Sequence, residues 1–259
     1  LVRALLKAPH NKLELIPSGE ARIRKLASVE VKGKDSAQTV DLYALGGLGL
    51  LPDFIWLDQN QRFFASYSSW STMIRAGYEE AITTIGDRQE QEEKRLAETR
   101  ANELTRKLSA PLLIRNVRVF DPPSGEVVDA RSVLIDAGKI VSIGDADVAS
   151  LAGVEEFDGA GRFMMPGLWD MHVHFTAGAD GLLELASGVT TVRDMANQVD
   201  SLKASIESIE AGRDIGPRII RAGIIDGKGP FAGPTKVLVE NEQEALAAVK
   251  MYKDTGHEQ

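Results

Sequence analysis

The chain has 259 residues, of which 43% are apolar and 26% are charged, and it carries a formal net charge of −8 and no cysteine. The absence of thiols excludes disulfides, thiolate metal sites and cysteine nucleophiles. An acidic balance without a basic cluster argues against a nucleic-acid-binding surface. No apolar run approaches the roughly 20 residues that cross a bilayer, so we expect no membrane partner.

Residues 1–110 are predicted to form an N-terminal β and helical extension. Up to about residue 69, short apolar runs alternate with turn signals, which is typical of a small, mostly antiparallel β unit. From Ser69 the apolar period becomes that of a helix, and the helical pattern continues to about residue 108, ahead of Pro111. The thin apolar seam of its second half favours a solvated helix between two domains over a partner-binding coiled coil.

Residues 111–165 return to strand-like patterns and are predicted to form a small, β-sandwich-like domain. The DAGK segment at 136–139 is typical of a tight hairpin turn between two of its strands. Gly159 and Gly161 predict a second bend.

Residues 166–259 change pattern again, because strand-like and helix-like segments now alternate three times. Such alternation predicts βαβ units on a parallel sheet and gives the chain an α/β fold class. The third of these strands, at about 217–225, is expected to present an unpaired edge or to be covered by another chain, since three parallel strands cannot close a barrel.

The segment PGLWDMHVHF at 166–175 contains two of the four histidines of the chain, His172 and His174. Residues two apart on a strand project from the same face, about 6 to 7 Å apart along the backbone. Neutral imidazole is a good zinc ligand, so the pair predicts a metal half-site at the end of a strand. A structural pair of hydrogen-bonded histidines is the alternative.

The other polar groups near these strands are weaker candidates. Asp170 has the strand parity of both histidines and either orients an imidazole or makes a structural hydrogen bond. Arg193 and Asp194 end the second strand, where a structural ion pair is favoured over a site role. The glycine- and proline-rich loop 226–235 follows the third strand and is expected to shape a substrate pocket or to be a plain connection.

The remaining two histidines are expected to be surface residues. His10 lies in a polar N-terminal stretch. His257 follows Gly256, which is a typical helix C-cap, and this places the side chain at the N-terminal end of the strands, away from the histidine pair. The GGLGLL run at 46–51 lacks the spacing of a nucleotide-binding fingerprint, so no organic cofactor site is predicted.

The order of the β segments, PGLWDMHVHF, GVTTVRDM and IIDGKGPFAGPTKVLVE resembles the amidohydrolase superfamily, in its imidazolonepropionase-like and prolidase-like branch, over residues 111–259. The resemblance implies a (β/α)₈ barrel and a small β domain built from segments on both sides of it. Residues 111–165 would then be this composite small domain. Residues 166–259 would be an incomplete barrel made of its first three βα units.

The resemblance also implies a metal-dependent hydrolase of C–N bonds in an amide, a cyclic amide or a dipeptide. Its nucleophile is a metal-activated water, with one or two divalent ions, zinc being favoured. Further ligands in that family, namely a lysine or glutamate, two histidines and an aspartate, come from later strands. We therefore expect the parent protein to be the enzyme and the chain as given to be an inactive fragment, in which only His172 and His174 are assigned to the metal.

Two other functions stay open: a non-catalytic or degenerate scaffold member, and a deaminase on the same fold. The coding sequence downstream of Gln259 would separate them from the hydrolase. The expected partner is a small-molecule amide or peptide substrate, and a homo-oligomer is left open. The extension resembles that of some extracytoplasmic members, which favours an extracytoplasmic location slightly over a cytoplasmic one.

Overall fold

The computed structural model describes five stretches of the chain, namely residues 1–68, 71–145, 153–176, 178–232 and 237–259. The chain divides into two compact units. The first unit holds residues 1–103, 175–183 and 200–216, and the second holds residues 104–174, 184–199 and 217–259. None of the described helices is long and apolar enough to cross a membrane.

The first unit contains a six-stranded antiparallel sheet whose strands follow one another in sequence order. A short helix precedes it, α1 (Val2–Lys7). The strands are β1 (Lys12–Glu14), β2 (Glu20–Lys32), β3 (Ala37–Gly46), β4 (Asp53–Asp58), β5 (Phe63–Tyr67) and β6 (Thr72–Ile74). This meander confirms the predicted antiparallel β unit.

A long helix, α2 (Ile82–Leu104), follows the sheet. Ile85 near its start and Ala81, in the 3₁₀ turn just before it, both belong to one apolar core. The sheet side of that core comes from Ala27, Val31, Val40, Leu42, Trp56, Phe64 and Ala65. The helix was expected from Ser69, and this start is wrong because Met73 and Ile74 pair with β5 as strand β6. Gly77, with a φ of 85°, then turns the chain before the helix begins. Ser69 and Trp70 lie outside the described residues.

The second unit contains a four-stranded mixed sheet in the order β10–β7–β8–β9. Its strands are β7 (Leu112–Asp121), β8 (Glu126–Asp136), β9 (Lys139–Asp145) and β10 (Glu155–Met164). In the described residues of 112–164 this is a single sheet, which corrects the expected sandwich-like pair of layers. The reason is that β10 adds in parallel to the free edge of β7 instead of starting a second layer.

Both turns predicted from glycine in this sheet are present. Ala137 and Gly138 join β8 to β9 with φ values of 46° and 74°, as a two-residue hairpin turn requires. The predicted bend at Gly159 and Gly161 is a bulge inside β10, where the pairing with β7 shifts between Asp158 and Arg162.

The same unit contains a parallel sheet in the order β11–β12–β13. These strands are β11 (Leu168–Val173), β12 (Val189–Asp194) and β13 (Arg218–Arg221), and a parallel pair follows, β14 (Ile225–Gly227) and β15 (Val237–Val239). In sequence, α3 (Ala179–Ala186) and α4 (Val199–Glu210) lie between these strands, and α5 (Glu242–Asp254) follows β15. Residues 179–183 of α3 and 200–210 of α4 belong to the first unit. The predicted alternation of strand and helix is therefore present, in a mixed α/β chain.

The edge of β13 was expected to be unpaired, but the residues at the end of the described chain bond to it. The backbone N–H of Glu258 donates to the carbonyl of Arg221 at 3.0 Å, and the N–H of Gly223 donates to the carbonyl of Gln259 at 2.8 Å. The prediction of an unpaired edge is wrong at this point, because the residues after α5 return to lie alongside the third strand.

Candidate metal centre

The two histidines of the PGLWDMHVHF segment lie side by side at the C-terminal end of β11. His172 is within the strand and His174 follows its last residue, Val173. Their ring centroids are 5.5 Å apart, with an angle of 81° between the ring planes. Both side chains are exposed. The alternation of a strand thus brings the two imidazoles together, at a distance that one small ion between them can span.

The ring of His174 has a defined hydrogen-bonding partner. Its Nδ1 lies 3.1 Å from the carbonyl oxygen of Ala196 in the loop after β12. A carbonyl oxygen can only accept, so Nδ1 must carry the proton of the neutral ring. The unprotonated nitrogen is then Nε2, which is the form that a metal ligand needs.

The loop that supplies this carbonyl is held at several points. The carboxylate of Asp194, which is 0% exposed, accepts from the backbone N–H of Ala196 at 3.1 Å and from Nδ2 of Asn197 at 3.0 Å. The N–H of Met195 donates to the carbonyl of Val173 at 2.9 Å, directly before His174. These bonds connect the C-terminal ends of β11 and β12.

Asp170 and Arg193 bond to the backbone of β11. Oδ1 of Asp170 accepts from the N–H of His172 at 3.0 Å, which is the structural hydrogen bond of the two alternatives. Nε of Arg193 donates to the carbonyl of Met171 at 2.8 Å, and its Nη1 donates to Oε1 of Gln259 at 3.1 Å. The favoured ion pair of Arg193 with Asp194 is replaced by these separate contacts, since neighbouring residues on a strand point to opposite faces.

The other two histidines differ from each other. His10 is exposed, as expected. His257 is only partly exposed, with its ring 4.7 Å from that of Tyr252 and its Nδ1 3.1 Å from Oγ1 of Thr255. Burial, and then the charge of Arg221, lower its pKa below the usual histidine value.

The expected position of His257 is also wrong. The next residue, Glu258, bonds to the last residue of β13, so His257 lies near the C-terminal end of that strand and not at the opposite end. The reason is the pairing of the segment after α5 with β13, which local sequence patterns do not encode.

The histidine pair remains a site with two protein ligands. Within the described parts of the chain, no group of three or more His, Cys, Asp or Glu side chains is placed to hold a metal ion. The loop at 226–235 falls partly outside the described residues, from 233 onward. In its described part the side chain of Phe231 is 95% exposed, and Lys228 pairs with Glu240 at 2.9 Å.

Sequence relatives were found among curated proteins, whereas no family model matches the chain. A dihydroorotase from Streptococcus pneumoniae is 38% identical over 111 residues, which are 39% of this chain and 25% of the relative. Adenine deaminase 2 from Shouchella clausii is 35% identical over 111 residues, covering 38% of this chain and 19% of the relative. The match thus spans about a quarter or less of the length of these proteins.

Solved structures give a weaker likeness. A Xaa-Pro dipeptidase with bound methionine in its active site is 23% identical, with a TM-score of 0.46, and the match covers 57% of this chain and 45% of the other. A bottromycin amidohydrolase is 19% identical, with a TM-score of 0.48, over 63% of this chain and 34% of the other. Over the matched part of its length the chain is similar in sequence to a dihydroorotase and an adenine deaminase, which supports the resemblance to the amidohydrolase superfamily.

Proposed function

We propose that the chain belongs to a metal-dependent hydrolase of C–N bonds, in which His172 and His174 are two of the metal ligands. The observation that supports this most directly is the pair of exposed rings 5.5 Å apart at the end of β11, with Nδ1 of His174 bonded to a backbone carbonyl. A metal-ligating histidine typically donates its other ring N–H to a carbonyl or carboxylate, and His174 has this arrangement.

The residues present fit a divalent ion, which superfamily members use, as a partial site. Both ligands come from one strand end, so binding needs little rearrangement of the backbone. Asp170 fixes the backbone at His172, and the Ala196 carbonyl fixes the ring of His174. When bound, a divalent ion polarises a substrate carbonyl and activates water near neutral pH. Zinc is the favoured ion because imidazole nitrogen suits it.

The proposed substrates are small molecules with an amide, a cyclic amide or a dipeptide bond. The sequence relative named dihydroorotase supports the hydrolase. The relatives named adenine deaminase support a second candidate, a deaminase that uses the same histidine pair. Both reactions break a C–N bond with water, so the pair itself does not separate them.

Zinc binding to the 259-residue chain tests the site directly. We expect weak binding in calorimetry at neutral pH, because two protein ligands are fewer than the three or more of a catalytic zinc site. His172→Ala and His174→Ala should each remove this binding. His10→Ala is the matched control, since its exposed ring has no second histidine beside it in the described chain, and it should bind as the parent does. Unchanged binding in both strand variants would contradict the proposed ligands.

The reaction is tested on the full-length gene product supplied with zinc. We expect it to hydrolyse a cyclic amide or an Xaa-Pro dipeptide, and a chelator should abolish the reaction. Ammonia release from adenine without amide hydrolysis would establish the deaminase instead. Absence of turnover on all three substrates would favour the non-catalytic scaffold. The 259-residue chain alone should be inactive in the same assays.

A further inference from the structure

Asp194 is a buried carboxylate with a specific set of donors. It ends β12, is 0% exposed, and accepts from the N–H of Ala196 through Oδ1 and from Nδ2 of Asn197 through Oδ2. A carboxylate is removed from water at a considerable cost unless it is well hydrogen-bonded. The two bonds offset this cost and at the same time define the conformation of residues 194–197.

The turn 194–197 contains the backbone carbonyl that contacts the candidate metal ligand His174. Asp194 holds the N–H of Ala196, and the carbonyl of the same residue lies 3.1 Å from Nδ1 of His174. The turn is also attached to the strand of the ligand, through the bond from Met195 N–H to the Val173 carbonyl. Movement of the turn would therefore displace the carbonyl oxygen to which Nδ1 of His174 donates.

We propose that Asp194 is a positioning residue for the metal site: its carboxylate fixes the turn 194–197 so that the Ala196 carbonyl keeps His174 in the Nδ1–H tautomer with Nε2 available. The inference rests on the proposed metal-binding function of His174. Asp194 does not touch the metal in this role, because both of its carboxylate oxygens are engaged in the turn. It acts through a backbone carbonyl, in the way that partners outside the ligand shell orient metal-binding histidines.

The tautomer of His174 can be measured without any metal. In ¹⁵N-detected imidazole spectra of the metal-free chain at pH 8, we expect the parent to show the Nδ1–H form of His174. Asp194→Ala should release the turn, so that the ring populates both tautomers. Asp194→Asn keeps an oxygen for the Ala196 N–H but faces Asn197 with a donor, so its effect should be smaller.

The matched control is another buried carboxylate that organises a turn. Asp58, in the first unit, accepts through Oδ1 from the backbone N–H groups of Asn60 and Arg62, both at 2.9 Å. Asp58→Ala therefore removes the same type of interaction in the other compact unit. It should leave the His174 tautomer and the zinc affinity unchanged, while thermal unfolding reports the loss of stability in each variant.

Zinc affinity provides the second measurement. Loss of a partner that orients a ligand typically weakens metal binding about 10–100-fold, and we expect this for Asp194→Ala. Should Asp194→Ala fail to fold, Asp194→Asn decides by the same two measurements. A folded variant that keeps the Nδ1–H tautomer overturns the inference, and so does an equal tautomer change in Asp58→Ala. By contrast, unchanged zinc binding in His174→Ala overturns the proposed function, whatever the tautomer of the metal-free ring.

Discussion

The two compact units of the chain differ in how they bury their large apolar side chains. In the first unit, Trp56, Phe64 and Ile85 are fully buried between the six-stranded sheet and α2. In the second unit, Trp169 in the edge strand β11 of the parallel sheet is 55% exposed, and Ile140 in the mixed sheet is 62% exposed. Parallel sheets in proteins normally have both faces covered.

This difference suggests different roles for the two units, namely stability for the first and metal binding for the second. The first unit contains its own core, and its buried polar groups serve that core: Trp56 donates to Gln89 of α2 at 3.1 Å. The second unit places polar groups at strand ends: His172 and His174 lie at the end of β11, and Asp194 ends β12. Stability should therefore depend on core residues of the first unit, and metal binding on strand ends of the second.

The largest effect is expected from a core tryptophan. Trp56→Ala removes a side chain with 0% exposure and also leaves Oε1 of Gln89 without its donor. Such a change typically costs about 3–5 kcal/mol in the free energy of unfolding. The control is Trp169→Ala, a tryptophan of the second unit whose exposed position predicts a change within about 0.5 kcal/mol. Chemical denaturation followed by circular dichroism measures both, and similar losses would contradict the comparison.

A smaller effect is expected from Asp58 at the β4–β5 turn. Burial raises the pKa of this carboxyl, but the hydrogen bonds from Arg62, Arg75 and Asn60 outweigh it, and its pKa lies below the usual value. Hydrogen bonds to a charged group are typically worth about 1.5–3 kcal/mol, so Asp58→Asn should cost an amount of this order at pH 7.

The same shift gives Asp58 a pH signature. Because its folded-state pKa is depressed, its contribution is fully present above the unfolded value of about 3.9 and is lost as pH falls through the folded value. The stability difference between the parent and Asp58→Asn should therefore shrink between about pH 5 and pH 2. Asp35→Asn, at an exposed carboxyl, should show little difference at any pH. A difference in stability between the parent and Asp58→Asn that stays constant down to about pH 2 would refute this account.

The sequence predicted those features that depend on neighbouring residues. The alternation in PGLWDMHVHF placed His172 and His174 together, and Gly138 marked the hairpin turn correctly. The start of α2 was missed because apolar residues of a strand and the following turn, such as Met73, Ile74 and Tyr78, mimicked a helical period. Strand pairing with β5 and the positive φ of Gly77 decided the outcome there.

Two other features depend on contacts that the local pattern does not contain. The partner of His174 is a backbone carbonyl, which any residue at position 196 would provide, so its identity carries no signal. Asp194 and Asn197, three residues apart after a strand, were the available clue, since Asp and Asn side chains commonly bond to nearby backbone in turns. The closure of the β13 edge by Glu258 joins residues 37 positions apart in the chain.

The smallest effect is expected from His257 in the second unit. Burial and the nearby Arg221 lower its pKa, while the hydrogen bond with the Tyr252 backbone and then the charge of Asp194 raise it less. The folded-state pKa is below the unfolded value of about 6.5. As pH falls through this range, the unfolded chain therefore binds more protons than the folded chain, and the free energy of unfolding decreases.

His257→Gln removes this titration, so the stability of the variant should fall less between pH 7 and pH 5 than that of the parent. His10→Gln is the control, because His10 is exposed, and its pH profile should match that of the parent. Thermal unfolding at a series of pH values measures all three proteins. The effect should be small because the ring of His257 keeps part of its contact with water. A parent profile that is flat from pH 7 to 5, or one that His257→Gln leaves unchanged, would show that protonation of His257 is not coupled to the folding of the second unit.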